Sequence, residues 1–204
     1  MQDIVYKLGN SLYLNITNRC TNECSFCIRN KTKDFNSNYK LWLASEPTTE
    51  EIIKAIGDPR RYEQIVFCGY GEPLIRLETV KEVATAIKAQ HGSAKIRIDT
   101  NGHANLFWGR NILPELKGLI DFISISLNAQ DAYIYNKLCA PTAGEKTFDY
   151  IIDFIEEAKK HIPQVEASVV GIPEVIDIEK TKKIAEKLGV SFRIRPYYED
   201  MYIS

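Results

Sequence analysis

The residues best suited to chemistry are three cysteines at CxxxCxxC spacing, in the run Cys20-Thr-Asn-Glu-Cys24-Ser-Phe-Cys27. Three thiolates on one short loop can converge on a single inorganic centre, and no fourth cysteine follows nearby. A four-iron cubane held in this way has three irons ligated by protein and one left open to a small-molecule ligand. Such a loop is built for chemistry rather than for bracing. A zinc site is the competing reading, because short CxxC pairs are common zinc ligands. Structural zinc takes four ligands, however, and Cys68, His91 and His103 lie far along the chain.

The loop must be positioned by the apolar run Leu12 to Ile16, which reads as a β-strand. Further apolar, often β-branched runs predict strands over Ser11 to Thr17, Gln64 to Cys68, Lys95 to Thr100, Asp121 to Ser126, Val165 to Gly171 and Ser191 to Arg195. Helical stretches alternate with them. Thr48-Thr-Glu-Glu51 is a capping-box pattern opening a helix that stops near Gly57. Leu77, Val80, Val83, Ala84 and Ile87 form one helical stripe, and Phe148, Ile151, Ile152, Ile155 and Ala158 another. Ile184, Ala185 and Leu188 form a third, ahead of Gly189. These stripes are core.

A strand–helix alternation repeated six times implies a parallel sheet with right-handed crossovers. Six units are too few to close an eight-stranded barrel, so the expected fold is α/β with an open partial (β/α)6 barrel, a flat doubly wound sheet being the alternative. In either, ligands collect at the carboxyl ends of the strands. The strands run out into the cysteine loop, Cys68-Gly-Tyr-Gly-Glu-Pro73, Asp99-Thr-Asn-Gly102, Ser126-Leu-Asn-Ala129, Val170-Gly-Ile-Pro173 and Arg195-Pro-Tyr-Tyr198. Polar, glycine-bearing segments therefore share the rim that carries the cysteines.

At 204 residues, with 45% hydrophobic and 26% charged residues, the chain reads as one ordinary globular domain spanning 1–204. A net charge of −1 argues against a general nucleic-acid footprint. Met1 to Leu8 contain no long apolar segment, so neither a signal peptide nor a membrane span is expected. Five cysteines, three of them clustered, are no disulfide framework and fit a reducing cytoplasm.

In Gly69-Tyr-Gly-Glu72 the small residues would let the backbone approach a ligand, and Glu72 supplies a carboxylate suited to an ammonium group. The same segment also reads as a plain turn closed by Pro73. Arg193 and Arg195 share one strand face; inward they would serve an anionic ligand, outward they would be solvated. Asp99-Thr-Asn-Gly102 is a turn that would aim Asn101 at the middle of a pocket. Asn128 could cap a helix starting near Asp131. Cys68 and Cys139 are either extra ligands or thiols, or simply buried. The long segment Ile28 to Glu46, with Lys31, Lys33, Phe35, Tyr39 and Trp42, is a substrate-side lid or binding loop, or a packed surface loop. His91 and His103 are assigned no role.

The cysteine spacing, with Phe26 just before the last cysteine, resembles the radical S-adenosylmethionine (SAM) family, and the likeness extends from Leu12 to Tyr198. It implies that Cys20, Cys24 and Cys27 hold a [4Fe–4S] cluster whose open iron binds SAM. By the same resemblance Gly69, Tyr70, Gly71 and Glu72 correspond to the GGE motif that holds the methionyl amine, with Tyr70 departing from its glycine pattern. Ser126 and Asn128 would meet the SAM ribose or carboxylate; Arg193 and Arg195, if inward, are candidates for that carboxylate or for an anionic substrate. Phe26, Gly171, Ile172 and Tyr197 would border the adenine. The implied reaction is reductive cleavage of SAM to a 5′-deoxyadenosyl radical that abstracts hydrogen from an unidentified substrate. No second cluster motif is present, so a flavodoxin or ferredoxin is the implied electron donor. YKLGNSLYLNITNRC and FCGYGEPL resemble TatD-associated radical SAM proteins in particular, which leaves small-molecule, protein and nucleic-acid-related substrates open. The short length is also similar to small 7-carboxy-7-deazaguanine synthases and to activating enzymes of glycyl-radical proteins. The alternative is a non-catalytic zinc- or iron–sulfur-binding α/β interaction domain.

Overall fold

The computed structural model describes residues 2–32, 34, 35 and 38–197; Lys33 and Tyr198 lie outside the described residues. The chain opens with β1 (Val5–Leu8) and β2 (Ser11–Leu14), followed by the cysteine loop and a short ribbon of β3 (Asp34–Phe35) and β4 (Tyr39–Lys40). Next come α1 (Thr49–Ile56), β5 (Gln64–Phe67), α2 (Leu77–Gln90) and β6 (Ile96–Thr100). Two short helices, α3 (Ala104–Trp108) and α4 (Leu113–Leu116), lead to β7 (Phe122–Ser126). The remainder is α5 (Ala132–Cys139), α6 (Thr147–Ala158), β8 (Gln164–Val170), α7 (Ile178–Leu188) and β9 (Ser191–Arg195).

The main sheet runs β1-β2-β5-β6-β7-β8-β9. From β2 to β9 every pairing is parallel, and the two ends do not meet. This is the open partial barrel expected from six strand–helix units. The strand β1 was not anticipated. It pairs antiparallel with β2 through a tight Gly9-Asn10 turn, Gly9 taking a φ of +57°. Its four residues are too few to show a period.

Side chains alternate along each strand. Ile96, Ile98, Ile123, Ile125, Ala167 and Val169 pack under the helices in the main core. Their neighbours Arg97, Asp99, Ser124, Glu166 and Arg193 face the concave side, where they bond one another. Parallel sheets are ordinarily apolar on both faces. The polar concave face marks this sheet as the wall of a cavity.

The capping box at Thr48 forms: Thr48 Oγ1 accepts from Glu51 N at 3.2 Å, and Glu51 Oε2 accepts from Thr48 N at 2.8 Å. Asn128 is not the cap of α5. Asp131 takes that place, accepting from Ile134 N at 2.9 Å, because Asn128 is buried and turned toward β9. No helix among the described residues is long and apolar enough to cross a membrane.

Loss of the first capping bond makes a direct test. Thr48→Ala is expected to lower unfolding stability by about 1 kcal/mol, with Thr48→Asp close to the parent. Urea titration followed by circular dichroism reads this as a lower midpoint at unchanged slope; an unmoved midpoint would remove the cap from the account.

Candidate active site

The cysteine loop leaves the end of β2 and lies across the carboxyl rim of the sheet. Cys20, Cys24 and Cys27 are partly exposed free thiols, and Cys27 N donates to Cys24 O at 3.0 Å in a tight turn. Burial pushes the Cys20 thiol up to about 11, with the Glu72 carboxylate adding to the rise. Burial also raises Cys27. The Cys24 thiol is raised by its hydrogen bond with Cys139 and then by burial. Metal-free thiols of this kind are protonated at neutral pH, and loading a metal centre must release their protons.

The loop is gripped from two sides. From the end of α5, Cys139 O accepts from Glu23 N at 3.0 Å and Leu138 O accepts from Ser25 N at 2.9 Å. From the turn after β6, Asn101 Nδ2 reaches Thr21 Oγ1 at 2.8 Å and Cys20 Sγ at 3.7 Å. His103 continues this grip, although the sequence assigned it no role. It is buried, with Nδ1 at 2.9 Å from the Thr21 hydroxyl and Nε2 at 2.8 Å from the Tyr135 hydroxyl. Tyr135 in turn accepts from Asn22 Nδ2 at 3.0 Å. Burial holds the imidazole down to about 4, so the ring is neutral, with one nitrogen donating and the other accepting. Arg29 adds two bonds to the main chain, at Asn18 O and Asn22 O, both 3.0 Å. Position at the rim was the one signal in the sequence that pointed to Asn101, and His103, in polar loop-like sequence, had none. Asn101 is buried and bonded to the loop rather than aimed into the pocket.

The two glycines of Gly69-Tyr-Gly-Glu72 serve the approach of two backbones. A Cβ on Gly71 would lie 2.4 Å from Thr17 O and 2.5 Å from Arg19 O, and one on Gly69 would lie 2.2 Å from Asn15 Oδ1. The segment is thus pressed against the chain leading into the cysteines. Glu72 is buried and bonded to protein: Oε1 accepts from Leu74 N and Thr100 Oγ1, and Oε2 from Asn101 N at 2.7 Å. Of a carboxylate's four lone-pair sites, one remains, on Oε2. Burial raises Glu72 to about 7 against the pull of its three donors.

A cavity of about 370 Å³ opens beside the loop. Its wall brings together Phe26, Cys27, Gly69, Tyr70, Arg195 and Tyr197 from the expected set. The remaining expected residues stand behind it. Gly71 and Glu72 brace the rim, while Ser126 and Asn128 bond Arg195 Nη2 at 3.2 and 2.5 Å. Ile172 is buried in the main core next to Gly171, and Val170 is the part of that segment which meets the cavity. Arg193 and Arg195 face inward, which settles the choice left open by their alternation. Tyr6, Tyr13 and Phe35 form an aromatic wall. Phe35 belongs to the long segment read as a candidate binding loop, whereas Tyr6 had no signal in the sequence because β1 was not foreseen. Cys68 lines the cavity, its thiol pushed by burial to about 12, whereas Cys139 is fully buried behind Cys24. Phe35 and Leu41 of the long loop reach the cavity, while Trp42 faces solvent.

The residues fit an iron–sulfur cluster with a zwitterionic ligand. Among the described residues no three His, Cys, Asp or Glu side chains are grouped to hold one metal ion. Cys20, Cys24 and Cys27 on one rim loop supply the three thiolates that a cubane with one open iron requires. Arg195 supplies the second fit. Its Nε is buried without a partner, and among the described residues no carboxylate is ion-paired with it. A guanidinium on the cavity wall with a buried, unbonded Nε and no ion-paired acid among the described residues is suited to a carboxylate.

Two outcomes follow. Gly71→Ala is expected to cost about 1–3 kcal/mol and to loosen the cysteine loop, because the new methyl meets backbone rather than a movable side chain; thermal unfolding and thiol titration of the metal-free protein check it. The second concerns pH. Glu72, raised from 4.5 to about 7, binds its proton more tightly in the folded chain than in the unfolded one. Its contribution to stability is complete below about pH 4.5 and is lost as pH rises to about 7. Between pH 5 and 8 the metal-free protein should therefore lose up to about 3 kcal/mol more than Glu72→Gln. Equal slopes in urea unfolding would refute the shift.

A radical SAM superfamily model matches residues 14–188, which is most of the chain. The dual-specificity RNA methyltransferase RlmN of Buchnera aphidicola subsp. Acyrthosiphon pisum (strain APS) is 29% identical over 129 residues, covering 57% of this chain and 32% of that protein. The chain thus spans about a third of the curated relative it matches. Among solved structures, TYW1 with a lysine-pyruvate adduct bound superposes with a TM-score of 0.66 at 13% identity, covering 96% of this chain and 67% of that one. Native anSMEcpe with bound AdoMet gives 0.66 at 16% identity, covering 94% and 52%. At such identities the superpositions speak for the fold alone. The match across the strands, the cysteine loop and its rim settles membership: this chain belongs to the radical SAM superfamily.

Proposed function

We propose that this chain is a radical SAM enzyme, with residues 1–204 acting as one core domain. The observation that carries the reading is the meeting of the CxxxCxxC loop, an arginine whose buried Nε is unbonded and a cavity at one rim of an open parallel sheet. Cys20, Cys24 and Cys27 would hold a [4Fe–4S] cluster. When bound, cluster and SAM supply the electron and the 5′-deoxyadenosyl radical that takes a hydrogen from substrate. The chain's own work is to bind, orient and exclude water. Arg195, steadied by Ser126 and Asn128, would bind the SAM carboxylate. Main chain at Gly69 and Tyr70, on the cavity wall, would take the ammonium group, with Gly71 and Glu72 bracing that segment from behind. Phe26, Val170 and Tyr197 would border the adenine, with Gly171 and Ile172 behind them at the end of β8. Tyr6, Tyr13 and Phe35 would form the substrate side, away from solvent.

The reading includes a flavodoxin or ferredoxin as electron donor, a cytoplasmic setting and kinship with TatD-associated radical SAM proteins. The substrate class stays open between a small molecule, a protein and a nucleic-acid-related compound. The test is anaerobic reconstitution with iron and sulfide, then dithionite and SAM, with chromatography for 5′-deoxyadenosine. Cluster-dependent release in the parent, falling at least a hundredfold in Cys24→Ala, is expected. Tightly held zinc with no SAM cleavage would sink the enzyme reading in favour of a structural metal domain.

A further inference from the structure

We propose that Asn101 is a positioning residue for the cluster, its side-chain amide donating an N–H···S hydrogen bond to Cys20 and so raising the cluster's reduction potential. The inference rests on the radical SAM reading. Each cysteine of the loop has a hydrogen-bonding neighbour. Cys20 has the backbone N–H of Asn22, Cys27 has that of Arg29, and Cys24 has the Cys139 thiol. Backbone donors come with the tight turns of a short cysteine loop. Asn101 is different, because it arrives from the turn after β6 and adds a second donor to Cys20 alone.

Its orientation is fixed by the groups around it. The Asn101 main-chain N–H is held by Glu72 Oε2 at 2.7 Å. Its side-chain Oδ1 accepts from His103 N at 3.0 Å, so the amide nitrogen must face the cysteine loop. That nitrogen carries two hydrogens: one meets Thr21 Oγ1 at 2.8 Å and the other is free for Cys20 Sγ at 3.7 Å. Asn101 is buried, so the bond is not shared with solvent. Hydrogen bonds to cluster sulfurs stabilise the more negative, reduced form and raise its potential. Such a bond would matter here because the proposed chemistry starts with reduction of the cluster by an external low-potential donor, and a higher cluster potential makes that transfer more favourable.

The test is potentiometric titration of the reconstituted protein, read by electron paramagnetic resonance of the reduced cluster and normalised to iron content. Asn101→Ala is expected to lower the one-electron reduction constant about tenfold, which is 59 mV. Thr21→Val breaks the same side of the grip, through both Asn101 and His103, yet leaves the amide able to reach sulfur. It should leave the potential within about 20 mV, a shift worth roughly twofold in the constant. Asn101→Asp keeps the acceptor for His103 N and loses the donor, so it should lower the potential at least as far as Asn101→Ala, and it serves where the alanine chain fails to load. An unmoved potential in the loaded Asn101 variants, or an equal drop in Thr21→Val, would overturn the inference alone. A parent chain that takes up no four-iron cluster would overturn the radical SAM reading and this inference with it.

Discussion

A loop without regular secondary structure has polar backbone groups that must be satisfied by something else. The cysteine loop meets this constraint by pairing with a helix end that has the complementary need. The last turn of α5 leaves carbonyls without intrahelical partners. Two of them, on Leu138 and Cys139, accept from Ser25 and Glu23 of the loop. Just beyond, Thr142 N donates to Thr21 O at 3.0 Å. Helix end and loop therefore fix each other, and the position of the thiols follows from the packing of α5 against α6 and the sheet.

The concave face adds a second rigid boundary. Arg97 and Arg193 are threaded among Asp99 and Glu166, with Arg97 Nε 2.5 Å from Asp99 Oδ1 and Arg193 Nε 2.7 Å from Glu166 Oε1. Burying such charges is tolerated only when each is paired and hydrogen-bonded. Ser124 adds a bond to Glu166 at 2.8 Å, and the Arg97 guanidinium lies 4.7 Å from the Phe122 ring centroid. The network leaves little freedom to its members. Among the described residues no acid is ion-paired with Arg195, which leaves a positive group beside the cysteine loop with its Nε unbonded.

The parallel strands were legible because each carries a short alternating or apolar run; their ends could be placed within one residue, except that the first stops at Leu14 and not Thr17. The rim was legible for a topological reason: parallel strands send all their carboxyl ends to one side. What escaped was whatever depends on contact across the sheet. The strand β1 is half of a hairpin whose other half looks complete on its own. His103 sits in polar sequence that reads as loop, and its burial arises only when α5 brings Tyr135 over it. The inward turn of Arg193 and Arg195 could not be chosen from alternation alone, because both faces of β9 are consistent with it.

The glycine motif shows how a pattern can be legible while its work is not. Glycine beside a carboxylate suggested a backbone opened to a ligand. In the folded chain Gly71 instead admits the carbonyls of Thr17 and Arg19, and Glu72 N donates to Arg19 O at 2.8 Å in the same contact. The carboxylate of Glu72 then spans to the β6 turn through Thr100 and Asn101. One residue thus ties three rim segments together: its own turn, the approach to Cys20, and the turn bearing Asn101. A ligand in the cavity would meet a surface whose spacing Glu72 has already set from behind. Pre-organisation of this kind is what a site needs when its ligands must be held still before an electron arrives.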